Sequence, residues 1–401
     1  MIEIHGKYTD AKIFTEVIEE EAKEQIRLLC DQSFTAGSKI RIMPDVHAGA
    51  GCTIGTTMTI TDKIVPNLVG VDIGCGMLTV CLGHQDVPFD RLDELIYKRI
   101  PSGRSVRQTP HPNNRMIDLT ELRCFPQIRH DYAKQSLGTL GGGNHFIEVD
   151  TDDDGQKYLV IHTGSRHLGV ETANWYQKAG YAALVRDQVD LPALIEKMKR
   201  DGRKSEIAGM IRAVKSKDRP NLEIPPALAY VEGQLFSDYI HDMKLVQQFA
   251  RLNRKTIMDE LLMGLGLEET DRFETVHNYI ETETMILRKG AVSAKKGERL
   301  LIPINMRDGS LICVGKGNPD WNYSAPHGAG RLFSRKEAKR RFSVSEFSRE
   351  MSGIYTTSVN TDTLDEAPMC YKNINDILDN IVPTVEVSSV IRPLYNFKAA
   401  D

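Results

Sequence analysis

Within Val71-Asp-Ile-Gly-Cys-Gly-Met77, the carboxylate of Asp72 and the thiol of Cys75 stand three positions apart. A hard oxygen and a soft sulfur this close suit a transition-metal ion. Glycine at 70, 74 and 76 gives the turn freedom to aim both side chains at one point. Four histidines, His145, His162, His277 and His327, are candidates to join them, and all but His277 lie close to glycine. Cysteine and histidine donors point first to zinc, with iron and manganese behind it. A bound metal would draw the thiol to thiolate, the ligating form.

Other motifs extend this chemistry toward phosphate. Gly138-Thr-Leu-Gly-Gly-Gly-Asn-His-Phe-Ile-Glu148 lets the backbone approach a ligand, and its amides suit an anion nest. Asn144, His145 and Glu148 project from its end. No Gly-Lys-Ser/Thr follows, so it is not a Walker loop. His162-Thr-Gly-Ser-Arg166 sets a candidate ligand beside an arginine suited to clamping phosphate. Val276-His-Asn-Tyr279 repeats the pairing of His with Asn. In Met43-Pro-Asp-Val-His-Ala-Gly49, Asp45 and His47 share one strand face, where a carboxylate can orient a metal-binding histidine. The plainer reading of that segment is a turn with an Asp cap. His327-Gly-Ala-Gly-Arg-Leu-Phe-Ser-Arg335 keeps an imidazole uncrowded, as a nucleophile or ligand needs. Ser334-x-x-Glu337 is a capping box and predicts a helix carrying Arg335, Lys336, Lys339, Arg340 and Arg341. That helix, and the basic turn Arg288-Lys-Gly-Ala-Val292, either meet phosphate or RNA backbone or are solvated.

The elements that must position these residues read as a mixture. Residues 14–30 place Phe14, Val17, Ile18, Ala22, Ile26 and Leu29 on one helical stripe. Strand-like runs follow at 39–47, 52–60 and 77–83, then at 158–166, 298–306 and 310–317. Residues 86–135 are irregular, with a helix near 88–99. Residues 191–217 and 226–264 read as helices. Candidate ligands drawn from positions 72 to 327 require one cooperative unit. The expectation is therefore a single α+β domain over residues 1–401, with central β-sheets flanked by helices and a helical insertion at about 185–265.

The 401 residues suffice for a sizeable core, and 41% hydrophobic with 26% charged residues fits a soluble protein. A net charge of -4 gives no global field for nucleic acid. There is no run of apolar residues long enough for a membrane span and no signal-like start. The seven cysteines lack a framework spacing, which fits reduced thiols in a cytoplasm. The residues alone thus describe a metalloenzyme acting on phosphates, with hydrolase, transferase and ligase all open.

MPDVHAG, VGVDIGCGM, GTLGGGNHFIEV, HTGSR, HNY, RKGAVSA and HGAGR, in this order, resemble the RtcB family of RNA-splicing ligases. The likeness runs from about residue 40 onward. It implies a compact α+β domain and a ligase that joins RNA 3′-phosphate or 2′,3′-cyclic phosphate ends to 5′-hydroxyl ends, in tRNA splicing or RNA repair. It implies GTP and two manganese ions, which displaces zinc from first place. His327 would attack the α-phosphate of GTP. Cys75 would bridge the ions, with Asp72 and His145 on one and His162 and His277 on the other. Guanylate contacts carry over to Asn144, His145, Phe146, Ile147, Glu148, His277, Asn278, Pro303, Ile304, Asn305, Met306, Ser310, His327, Gly328, Ala329, Gly330, Tyr371 and Lys398. Asp45, Arg166 and Arg331 would support these residues or meet phosphate. The family works largely as a monomer, and the need for an activator protein stays open. Three departures mark a divergent branch: Pro303-Ile-Asn-Met306 in place of Pro-Gly-Ser-Met, His167 after Arg166 in place of glycine, and Lys398-Ala-Ala-Asp in place of Lys-Gly. A metal-dependent phosphodiesterase and an RNA-binding protein without catalysis are the competing readings.

Overall fold

Two sheets carry the site. A computed structural model describes residues 1–188, 191–215 and 224–399. One sheet has six strands in the order Ile2–His5, Asp10–Ile13, Ile40–His47, Ile54–Thr59, Ile286–Lys289, Tyr279–Glu281. The other has seven, ordered Asp271–Val276, Gly76–Gly83, Lys157–Thr163, Phe146–Thr151, Val385–Lys398, Gly309–Gly315, Arg299–Asn305. The second sheet curls until its edges meet. Leu301 N–H donates to Thr275 Oγ1 at 2.9 Å, and Arg299 pairs with Asp271. Edge strands are thereby covered. The mixture of helix and strand in one body matches the expected α+β class.

The strand-like runs all form strands of nearly the expected extent. The helix read over 14–30 begins only at Glu20. Phe14 is still tied to the sheet, its N–H bonded to Ile42 O at 3.0 Å and its ring stacked on Trp321. Thr15 Oγ1 then accepts from Val17 N–H at 3.1 Å, a local bond that competes with helix, and Val17 is exposed. The single helix read over 191–217 is two, Leu191–Arg200 and Ile207–Lys215. Gly202 at φ 75° ends the first, with Arg203 N–H reaching back to Met198 O at 2.9 Å. Residues 216 and 217 lie outside the described residues.

The block at 185–265 is not of one kind. Its last helix, Gly233–Leu265, runs through the body of the molecule. Tyr239, Met243, Val246 and Phe249 pack into the largest apolar cluster, while Ile257, Met258 and Leu261 pack into a second. A helix buried on several faces loses its amphipathic stripe and is held by packing. Gly266 at φ 69° ends it, with Leu267 N–H bonded to Leu262 O at 3.0 Å. Within this apolar run, Asn253 and Arg254 are buried and polar.

Candidate active site

Asn253 and Arg254 tie four chain segments together. Asn253 Oδ1 accepts from Gly138 N–H at 2.7 Å and Thr139 N–H at 3.1 Å, and its amide donates to Thr139 O and Gly164 O, each at 3.1 Å. Arg254 Nη1 donates to Gly74 O and Thr163 O, each at 2.8 Å, while Nε pairs with Glu274 Oε1 at 2.8 Å. The turns after Gly70, Gly138 and His162 are thus fixed against one helix. The sequence reading missed both residues. The available signal was a polar Asn-Arg pair inside an apolar helical pattern.

On these turns the candidate donors converge as two triads sharing Cys75. Asp72, Cys75 and His145 form one, and Cys75, His162 and His277 the other, with ligand atoms within 4.8 Å of one another. Cys75 Sγ lies 3.5 Å from His145 Nε2 and 3.3 Å from His162 Nε2. His145 Nε2 lies 3.1 Å from Asp72 Oδ2, and His162 Nε2 lies 3.1 Å from His277 Nε2. His145 Nδ1 faces Leu140 O at 2.8 Å and His162 Nδ1 faces Asn144 O at 3.1 Å. A carbonyl only accepts, so each Nδ1 carries the proton and each Nε2 turns a lone pair inward. Lone pairs of imidazole, thiol and carboxylate aimed at one another repel unless a cation lies between them. The cluster therefore fits a bound metal, and its donor set of one sulfur, three imidazoles and one carboxylate suits a divalent transition ion.

Charge and burial agree. Burial works against ionisation of Asp72, while the nearby Arg166 favours its charged form. Its Oδ1 accepts from Ser165 N–H at 2.9 Å, leaving Oδ2 for the cluster. Burial, with Asp72 beside it, pushes the Cys75 thiol up, and a cation at the convergence point would reverse that shift. Burial and neighbouring histidines push His162 and His277 well below the ordinary imidazole value, so both are neutral donors. Gly164 leaves room for this arrangement, since a Cβ there would lie 2.2 Å from Asp72 Oδ1.

His327 stands beside the cluster, its ring 4.7 Å from that of His277. Its Nδ1 donates to Asp45 Oδ2 at 2.7 Å, and its backbone N–H donates to the same oxygen at 3.1 Å. Asp45 is fully buried, and Lys372 Nζ grips the flanking carbonyls of Pro44 and Val46 at 3.0 and 3.2 Å. Asp45 thus orients His327 and not one of the metal-donor histidines, as the sequence reading had it. His47 only turns its Nδ1 toward Asp45 O at 3.0 Å. With Nδ1 committed, Nε2 is the free ring nitrogen of His327.

A cleft of about 650 Å³ opens from this point. Of the residues picked from sequence, Asn144, Phe146, Glu148, His162, His277, Asn278, Pro303, Ile304, Asn305 and Met306 line it. So do His327, Gly328, Ala329, Gly330, Arg331, Tyr371 and Lys398. Ile147 does not line it. Strand alternation turns its side chain into the second apolar cluster. Ser310 does not line the cleft either; it is buried, with no hydrogen-bond partner for its hydroxyl among the described residues. Arg166 is not among the residues that line the cleft. Its guanidinium is tied to Gly103 O at 3.0 Å and Thr139 Oγ1 at 3.3 Å, away from the cleft lining. Arg288 and Lys289 are neither solvated nor at the cleft. Both are buried, Arg288 on Ser324 Oγ at 2.8 Å and Lys289 on Ala50 O at 2.6 Å and Cys52 O at 2.8 Å.

One wall of the cleft rests on Glu366, another residue the sequence reading missed. Its buried carboxylate takes Tyr371 OH at 2.5 Å, Lys398 Nζ at 2.9 Å, Arg335 at 2.7 Å and Arg331 at 3.2 Å. Burial alone would raise its pKa, but Lys398, Arg335 and Arg331 hold it down at about 2. The capping box at Ser334 does start a helix, Arg335–Arg341. Arg335 and Lys339 are paired with Asp365, and Arg341 with Glu337, which leaves Lys336 and Arg340 exposed. Asn396, also missed, lines the cleft and donates to Glu148 Oε2.

The sequence matches the family described as tRNA-splicing ligase RtcB over residues 32–122 and 113–399. It is 30% identical to the RNA-splicing ligase RtcB of Escherichia coli K12, covering 94% of this chain and 93% of that protein. It is 27% identical to the tRNA-splicing ligase RtcB of Aeropyrum pernix, over 84% of this chain and 82% of the other. It is 26% identical to that of Thermococcus kodakarensis, over 87% and 84%. With a match across nearly the whole chain, and with the motifs that carried the resemblance gathered around one cleft, this chain belongs to the RtcB family.

Proposed function

We propose that this protein is an RNA ligase that joins 3′-phosphate or 2′,3′-cyclic phosphate ends to 5′-hydroxyl ends, using GTP, two manganese ions and a guanylyl-histidine at His327. The observation that carries the reading is His327 itself. Its Nδ1 is fixed on Asp45 at 2.7 Å, and its ring lines the cleft beside two metal-donor triads. A carboxylate that fixes the tautomer of a histidine leaves the other nitrogen nucleophilic.

In this reading Nε2 of His327 forms a bond to the α-phosphorus of GTP as the bond to pyrophosphate breaks. Asp45 stabilises the imidazolium phosphoramidate. GMP then passes to an oxygen of the RNA 3′-phosphate, freeing His327. The 5′-hydroxyl attacks that phosphorus, expels GMP and closes the phosphodiester. A cyclic end needs opening by water first. Asp72, Cys75, His145, His162 and His277 would hold the metal ions, which would supply Lewis-acid charge beside the phosphates. Cysteine and imidazole donors rank zinc first on chemistry alone, and manganese stands here on the family resemblance. The base would lie against Phe146, Glu148 and Lys398, beside Asn396, whose Oδ1 lacks a partner among the described residues.

RNA with such ends, tRNA among them, is the proposed substrate. In this reading the exposed cations Lys336 and Arg340, on the helix that begins at the cleft-lining Arg335, would meet its backbone. No described helix is long and apolar enough to cross a membrane. The test is a joining assay with one strand ending in 3′-phosphate and another starting with 5′-hydroxyl. Product should require GTP and manganese. Cyclic ends consumed without GTP and without product would instead establish the phosphodiesterase reading, which the altered 303–306 loop motivates.

A further inference from the structure

Behind Glu148 lies a second carboxyl that the proposed chemistry does not use. Glu148 and Asp150 are two apart on the strand Phe146–Thr151 and share a face. Asp150 is fully buried, Glu148 is 3% exposed, and the two carboxyls interact directly. Neither oxygen of Asp150 receives a hydrogen bond from any donor among the described residues. The nearby Tyr158 hydroxyl goes to Asp152 at 2.9 Å, so it does not serve Asp150. Glu148 is better supplied. Asn396 donates to it, and Lys398 is the cation that acts on it from the neighbouring strand. Two carboxylates in contact without water or a cation between them cannot both be ionised. The pair must therefore hold a proton, and the partner without other donors is the one to carry it. Burial raises both groups.

We propose that Asp150 keeps the proton of this acid pair and so holds Glu148 as an ionised, acceptor-only surface that selects a purine with N1–H and 2-amino donors. The inference rests on the nucleotide reading of the cleft and names Asp150 as a positioning residue for base choice. A carboxylate accepts two parallel N–H groups, whereas a protonated carboxyl must donate one contact. With Asp150 replaced by an apolar residue, Glu148 would take up the proton itself. It would then pair as well with adenine, which offers an acceptor at N1. Asparagine at 150 mimics the protonated acid and can still donate to Glu148.

The test uses the full-length protein with manganese. Equilibrium binding of GTP, ITP and ATP is measured for wild type, Asp150→Leu and Asp150→Asn, beside infrared spectra of the nucleotide-free proteins. Asp150→Leu should cut the preference for GTP over ATP by about tenfold or more. Asp150→Asn should keep the preference and lose the protonated-carboxyl band seen in wild type. Equal loss in both variants would show a merely structural role and overturn the proposal. An unchanged preference in Asp150→Leu, with the variant folded, would overturn it as well. Failure of wild type to bind any of the three nucleotides would instead remove the nucleotide reading of the cleft, and this inference with it.

Discussion

The donor cluster at Cys75 and the charged wall at Glu366 border one cleft, yet they are held in different ways. Around Cys75 the main chain does the locking. His145 and His162 are fixed by carbonyls, Asp72 by a backbone N–H, and the turns beneath them by Asn253 and Arg254. Around Glu366, side chains lock side chains. Tyr371, Lys398, Arg331 and Arg335 converge on one carboxylate from positions spread over the C-terminal part of the chain. Asp72, Cys75 and His145 sit on turns that carry glycine close to the functional residue, which leaves a local signature. A side-chain network needs only opposite charges and reach, and it leaves no local signature.

The largest effect should come from the shared donor. Cys75→Ala removes a ligand from both triads, so metal analysis should find both ions lost, whereas His277→Ala should retain the ion at Asp72 and His145. Equal loss in the two variants would break the picture of two triads joined at one sulfur.

Arg254→Met tests the main-chain lock. It leaves Glu274 and two carbonyls without their buried partner, a change of about 3–5 kcal/mol for a buried pair. Chemical denaturation should show that loss together with weaker metal binding. Stability lost with metal affinity intact would mean that the helix does not set the donor geometry.

Glu366→Gln tests the wall. It should weaken the hold on Lys398 and raise KM for GTP about tenfold, with kcat and metal content near wild type. A large loss of metal would show that the two regions are not independently held.

The smallest effect is on pH. Burial pushes the Glu148 carboxyl up to about 7, with the Asp150 contact first, then Asn396 and Lys398, opposing that shift. A carboxyl with a raised pKa is ionised above that value and protonated below it. GTP binding should therefore lose its advantage over ATP as pH falls through about 7, and the slope should vanish in a Glu148→Gln variant.

The same contrast explains what the sequence revealed. Asp72, Cys75, His145, His162 and His327 stood out because each lies within a few residues of glycine, and His277 because it repeats the pairing of His with Asn. The strands beneath them were legible from apolar runs bounded by turn residues. Asp45 was found for its position, yet its partner proved to be His327, 282 residues away in sequence. Such pairings have no local trace. The loop oxygens of Gly103 and Thr139 that hold the Arg166 guanidinium are likewise distant in sequence and left no local trace. Glu366, Asn396 and Asp150 were invisible because each looks like an ordinary polar residue until the strand Val385–Lys398 lies beside Phe146–Thr151. The inward turn of the Ile147 side chain was hidden because a contiguous motif does not display the alternation of a strand.

The central claim is that His327, oriented by Asp45, is the nucleophile. The most direct measurement is transfer of label from α-labelled GTP to the protein in manganese, resolved under denaturing conditions, for wild type, His327→Ala and Asp45→Asn. Label on wild type, none on His327→Ala, and a rate lower by about 10²–10⁴-fold on Asp45→Asn is the predicted result. Equal labelling of wild type and His327→Ala, or no labelling of metal-loaded wild type, would contradict it.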